Sequence, residues 1–80
     1  MNKHHIINLL QYFQKNNIDF KITLHNNETY EYEPYIDFKE FCEETKLPHI
    51  ISIYDSGWDD IDIFYLNDIK ECTPLVYSKL

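Results

Sequence analysis

The chain has 80 residues, 44% of them hydrophobic, and sets 14 acidic side chains against 7 lysines and no arginine, for a formal net charge of −7. This length accommodates one compact domain spanning residues 1–80, and the apolar fraction excludes an intrinsically disordered chain. Arginine is the preferred bidentate group for phosphate and base edges. Its absence from a net negative chain argues against direct binding to nucleic acid or to an anionic membrane.

Ile6, Leu9, Leu10 and Phe13 fall at i, i+3, i+4 and i+7, and Ile7 widens the stripe, so the spacing predicts an amphipathic helix. Asn16-Asn17 is its expected stop, because asparagine tolerates the left-handed conformation that ends many helices. The period then changes to two. Ile18, Phe20, Ile22 and Leu24 alternate with Asp19, Lys21 and Thr23, and Thr29 to Glu33 alternates again after the turn residues His25 to Glu28. The pair reads as a β-hairpin. Pro34 ends the second strand, having no N–H to give a ladder.

Asp37, with Glu40 three residues on, resembles a capping arrangement. Phe38, Phe41 and Cys42 then share one helical face, which predicts a second helix ending at Leu47-Pro48. Ile50 to Tyr54 reads as a third strand. Asp55 to Asp60 is a turn holding the only glycine, Ile61 to Leu66 a fourth strand, and Ile69 to Val76 a short fifth interrupted by Pro74. The expected fold is α+β in the order α-β-β-α-β-β(-β): a mostly antiparallel sheet of four to five strands with two helices on one face.

Chemistry-bearing motifs are sparse. Cys42 and Cys72 lie far apart with no Cys-x-x-Cys spacing, so reduced thiols are expected. No leader-like segment and no long apolar run occurs, which points to a cytoplasmic protein. His4, His5, His25 and His49 lack the short spacings of zinc ligands and read as surface residues. Ser52, Ser56, Ser78 and the two cysteines have no nucleophile elbow around them. Asp68-Ile69-Lys70, with Asp59 or Asp60 upstream, is similar to the acid-x-lysine element of metal-dependent nucleases, but so short a match arises readily by chance. Without a glycine-rich loop, no nucleotide cofactor is expected either. The sequence predicts no enzyme, no metal and no cofactor.

The charge is unevenly spread. Residues 1–27 carry three lysines against Asp19, whereas Glu28 to Glu71 carries thirteen acids against Lys39, Lys46 and Lys70. Trp58 sits among Asp55, Asp59, Asp60 and Asp62. A tryptophan in such a turn ordinarily folds back over the edge of the core; the functional alternative is an aromatic anchor rimmed by carboxylates. The aspartates do not follow the EF-hand spacing, so calcium is not expected. Glu31 and Glu33 face away from Tyr30 and Tyr32 in a strand, about 6.5 Å apart, close to the phosphate spacing of one nucleic-acid strand. Glu43 and Glu44 extend the run. Seven tyrosines exceed what so small a core hides, so some ring faces are expected at the surface.

In size, acidity and expected architecture the chain resembles phage anti-defence proteins such as anti-CRISPRs and DNA mimics. That type implies an inhibitor that binds a basic, nucleic-acid-handling protein and blocks its nucleic-acid site. The expected partner-binding residues are Glu31, Glu33, Glu43, Glu44, Asp55, Trp58, Asp59, Asp60 and Asp62. Two other classes fit the same residues: an immunity protein that neutralises a basic nuclease toxin, and a structural or regulatory subunit that assembles through a strand edge or an aromatic surface.

Overall fold

A computed structural model describes residues 2–76. Helix α1 spans Lys3–Lys15, followed by strands β1 (Phe20–Leu24), β2 (Thr29–Tyr32), β3 (Ile36–Cys42), β4 (Leu47–Asp55) and β5 (Asp60–Tyr65). A single 3-10 turn, Leu66–Asp68, leads into β6 (Ile69–Pro74). The strands form two antiparallel three-stranded sheets, ordered β2-β1-β6 and β3-β4-β5. The fold class is α+β as expected, but among the described residues it has one α-helix, two sheets and six strands.

Helix α1 follows its sequence pattern closely. Asn2 caps it, its side-chain oxygen accepting a hydrogen bond from the His5 N–H at 2.8 Å. Ile6, Ile7, Leu10 and Phe13 are buried. Asn17 adopts φ 56° just past the end, the left-handed conformation expected there. In the β1–β2 hairpin, the Asn27 N–H donates to the Leu24 carbonyl and Asn27 itself has φ 69°. That is a three-residue loop whose last residue is left-handed.

The expected second helix is absent. Residues 36–42 form β3, and residues 43–46 turn the chain into β4. Phe38, Phe41 and Cys42 mimic helical spacing, but Ile36 and Phe38 pair across to Ile53 and Ile51, the most deeply buried part of β4. A ten-residue helix offers a narrow stripe to the core, whereas this hairpin satisfies two backbones and sets Ile36 and Phe38 against the buried Ile53 and Ile51. Phe41 falls on the opposite face of β3 and is 59% exposed. β4 also starts earlier than expected: Leu47 and Pro48 lie within the ladder, opposite Cys42 and Phe41.

Pro34 ends β2 as expected, and after Glu33–Tyr35 the chain bends into β3. The Tyr54 N–H bonds the Tyr35 carbonyl at 3.0 Å, carrying the β3–β4 pairing into the corner. β6 then returns antiparallel to β1, with a register shift between Thr23 and Leu24. One core lies between the sheets and beneath α1. A run of rings crosses it: Phe13 stacks on Phe20 (centroids 5.7 Å apart), Phe20 meets Tyr32 (6.1 Å), and Tyr32 meets Phe64 edge-on (5.8 Å). These contacts tie the helix, both strands of the first hairpin and β5 together.

Candidate functional site

The β4–β5 turn is held by its own acids. The Asp55 side chain accepts the Gly57 N–H at 3.1 Å, its carbonyl accepts the Trp58 N–H at 3.3 Å, and Asp59 completes the turn at φ 49°. Two bonds brace this turn against the body. The Tyr54 hydroxyl donates to Asp59 at 2.6 Å, and the Ser56 hydroxyl donates to Glu33 of the bend after β2 at 2.8 Å. Trp58 is 83% exposed. It does not fold back over the core edge, because Asp55 fixes a tight turn that points the indole outward. The glycine has no left-handed φ; Asp59 takes that conformation instead.

Beside the turn is a cleft of about 300 Å³ lined by Asp19, Glu31, Glu33, Asp55, Tyr32 and Ser56, with no basic side chain among its described lining residues. Asp55 and Asp60 stand directly opposite each other across the β4–β5 ladder. Like charges in that position oppose pairing, and each carboxylate is also engaged locally: Asp55 accepts the Gly57 N–H and Asp60 the Ile61 N–H at 2.8 Å. Asp62 lies two residues along the same face of β5 as Asp60 and is half-buried. It accepts a 2.6 Å hydrogen bond from the Tyr32 hydroxyl, which joins the two sheets. Burial, that bond and the nearby Asp62 and Asp55 carboxylates all push the Tyr32 phenol far above its ordinary pKa. The Tyr54 phenol is likewise raised, by its bond to Asp59 first, with Asp55 and Glu33 adding to it.

The nine expected residues thus divide between two ends of one strand. Glu31, Glu33, Asp55, Trp58, Asp59, Asp60 and Asp62 gather around the β4–β5 turn and the adjoining cleft. Glu43 and Glu44 occupy the β3–β4 turn at the opposite end of β4, about 30 Å away for a nine-residue strand. There Glu43 is paired with Lys46 at 3.5 Å, both largely exposed. Lys70 reaches Asn27 at 3.3 Å on the β1–β2 turn. Asp19 was not among the expected residues. It comes from the basic first third of the chain, and β6 returning onto β1 (Leu75 N–H to the Asp19 carbonyl, 2.9 Å) fixes it at the cleft; no local pattern signals this.

The other motifs do not assemble. Asp59 precedes β5 and Asp60 begins it, while Asp68 follows it, so a six-residue strand holds them about 20 Å apart, too far to share a metal ion. Among the described residues no three His, Cys, Asp or Glu side chains converge on a metal-sized site. Ser52 is buried within β4, Ser56 is bonded to Glu33, and Ser78 lies outside the described residues. Cys42 and Cys72 are free thiols. Tyr12, Tyr30, Tyr35, Tyr54 and Tyr65 are exposed, in keeping with the tyrosine surplus. No helix among the described residues is long and apolar enough to cross a membrane.

The fold and this acidic end define a class only: a small α+β protein with a carboxylate-lined cleft beside a projecting tryptophan. Compared with known proteins, the chain matches no family model, no curated protein and no solved structure.

Proposed function

We propose that the protein is a small acidic inhibitor that binds a basic, nucleic-acid-handling protein and blocks its nucleic-acid site. The observation that carries this reading is the concentration of Glu31, Glu33, Asp55, Asp59 and Asp60 around a braced turn that presents Trp58 to solvent. Carboxylates speed the encounter with a positive surface and make binding salt-sensitive. An aromatic side chain on a pre-ordered turn supplies the desolvated anchor at low entropic cost. Glu43 and Glu44 stand too far from this end to share one small contact, and they serve only a partner long enough to span β4.

The test is affinity capture from host lysate at low salt, elution with rising salt, and competition of the eluted complex with duplex DNA. We expect a nucleic-acid-binding protein that DNA displaces. Replacing Trp58→Ala together with Glu31→Gln and Asp60→Asn should weaken that complex at least tenfold, about 1.4 kcal/mol. Among the described residues the only side-chain hydrogen bond of these groups is the local one from the Ile61 N–H to Asp60, so the fold should persist in circular dichroism. Unchanged affinity, or recovery of acidic proteins alone, would remove the basis of the proposal.

A further inference from the structure

A second cleft, of about 500 Å³, lies between the end of α1, the bend after β2 and the β3–β4 hairpin. That volume falls within the range of small-molecule sites, about 300–1,000 Å³. Ser52 lines it, only 5% exposed, and its hydroxyl makes no hydrogen bond among the described residues, yet it is not sealed off. The fold supplies no partner for this hydroxyl; only a molecule within the cleft can. Directly across the ladder from Ser52 is Asp37, and Lys39 follows two positions along the same face of β3. These two residues are about 7 Å apart along the strand. Neither takes part in an ion pair among the described residues, where Lys46 and Glu43 alone are joined. A hydroxyl, a carboxylate and an ammonium that the fold does not use therefore open into one cleft. Beside them stand the rings of Tyr35 and Tyr54, centroids 6.4 Å apart and inclined at 64°, with Ile61 opposite Tyr54 on β5.

Charge decides the class of ligand. Asp37 and Lys39 cancel, so the cleft is neutral in a chain of net charge −7. An anion is repelled by the chain as a whole, and a cation is drawn instead to the cleft of Asp19, Glu31, Glu33 and Asp55. What remains is a molecule without net charge. An uncharged one leaves Asp37 and Lys39 without counter-charges. A zwitterion answers both, through charge-assisted hydrogen bonds about twice as strong as neutral ones. We propose that this cleft binds a free α-amino acid with an aromatic or large aliphatic side chain. The ligand's ammonium donates to Asp37, its carboxylate accepts from Lys39 and the Ser52 hydroxyl, and its side chain lies against Tyr35, Tyr54 and Ile61. A short carboxylate and a long, flexible lysine about 7 Å apart reach two groups carried on one carbon. For about a dozen ligand atoms in an open cleft, dissociation near 1 mM is expected.

This inference does not rest on the charge-based reading, and it is tested on the purified protein alone. Titration with L-phenylalanine to about 10 mM should move the amide NMR signals of residues 35–39 and 52–54 along saturable curves, with Kd about 1 mM. Phenylalaninamide lacks the carboxylate and N-acetylphenylalanine lacks the ammonium, so each should bind at least tenfold more weakly. Maltose offers hydroxyls without charge and should leave the signals in place. Asp37→Asn and Ser52→Ala should each weaken phenylalanine binding at least fivefold. Glu71→Gln on β6 makes the same charge change as Asp37→Asn and should not. The side chains of Asp37 and Ser52 bond nothing else among the described residues, so circular dichroism should be the same for all these proteins. The absence of saturable shifts, shifts centred on the Trp58 turn, equal binding of the two blocked derivatives, a saturable response to maltose, or Asp37→Asn binding as the wild type would each overturn the proposal.

Discussion

Cys42 and Cys72 sit in opposite environments, although the sequence presents them alike. Around Cys42 the β3–β4 turn folds back so that N–H groups of Thr45 and Glu44 and the Thr45 hydroxyl point at the sulfur, and His49 adds to their field. These donors favour the thiolate and hold its pKa down to about 7. Cys72 is buried in the apolar core, which pushes its thiol up to about 12, with Glu71 adding to the shift. We expect iodoacetamide at neutral pH to alkylate Cys42 alone, with a rate that reaches half its maximum near pH 7. Cys72 should react only on unfolding. Mass spectrometry of the labelled protein reads both outcomes, and early labelling of Cys72 would contradict the packing of β6.

At the scale of elements, the left-handed positions of the described backbone are filled without glycine. Asn17, Asn27, Glu40, Lys46 and Asp59 all have positive φ, and the single glycine does not. Asparagine and aspartate bear that conformation well, but for lysine it costs about 1–2 kcal/mol. Lys46 closes the β3–β4 turn, its N–H bonded to the Cys42 carbonyl at 2.8 Å. Lys46→Gly should therefore stabilise the protein by about 1 kcal/mol in a urea titration. The lost ion pair with Glu43 is solvent-exposed and offsets little of this. At the other end of the chain, Asn2→Ala removes the cap of α1 and should cost about 1 kcal/mol. The two turns that frame β4 also explain the division of the acids. A strand moves its ends apart, and the helix expected at residues 37–46 would have kept Glu43 and Glu44 nearer the body.

At the scale of the molecule, the two sheets are joined through Tyr32. Its ring touches Phe20 and Phe64, and its hydroxyl bonds Asp62. The folded-state pKa values of Tyr32 and Cys72 are both raised, so each contributes stability that is complete below its unfolded pKa and is lost as pH rises through the folded one. For Cys72 that loss begins near pH 9 and for Tyr32 near pH 10. Cys42, with its depressed pKa, acts in the opposite sense: its contribution is present above about pH 9 and fades as pH falls through 7. The urea midpoint should therefore drop from pH 9 to 11. Tyr32→Phe should lower stability by about 1–2 kcal/mol at neutral pH, leaving Asp62 without its donor, and should flatten the alkaline drop above pH 10.

The sequence by itself determined α1, the β1–β2 hairpin, the strands β4 to β6 and the turn at Asp55 to Asp60, because each rests on a periodicity or on turn chemistry carried by adjacent residues. It also determined that acids gather after residue 28 and that tyrosines exceed the capacity of the core. Tertiary structure decided the rest. Whether residues 37–46 coil or extend depends on a partner strand supplied by Ile51 and Ile53, which local spacing does not contain. Likewise only the closure of β6 on β1 brings Asp19 to the cleft. The turn held by Asp55 and braced by Tyr54 and Glu33 leaves Trp58 in solvent, and only the end position of β5 in its sheet gives that alternating strand a free edge among the described residues. Local energies select elements; which side chains meet depends on contacts between residues distant in the chain, and those contacts form only in the folded protein.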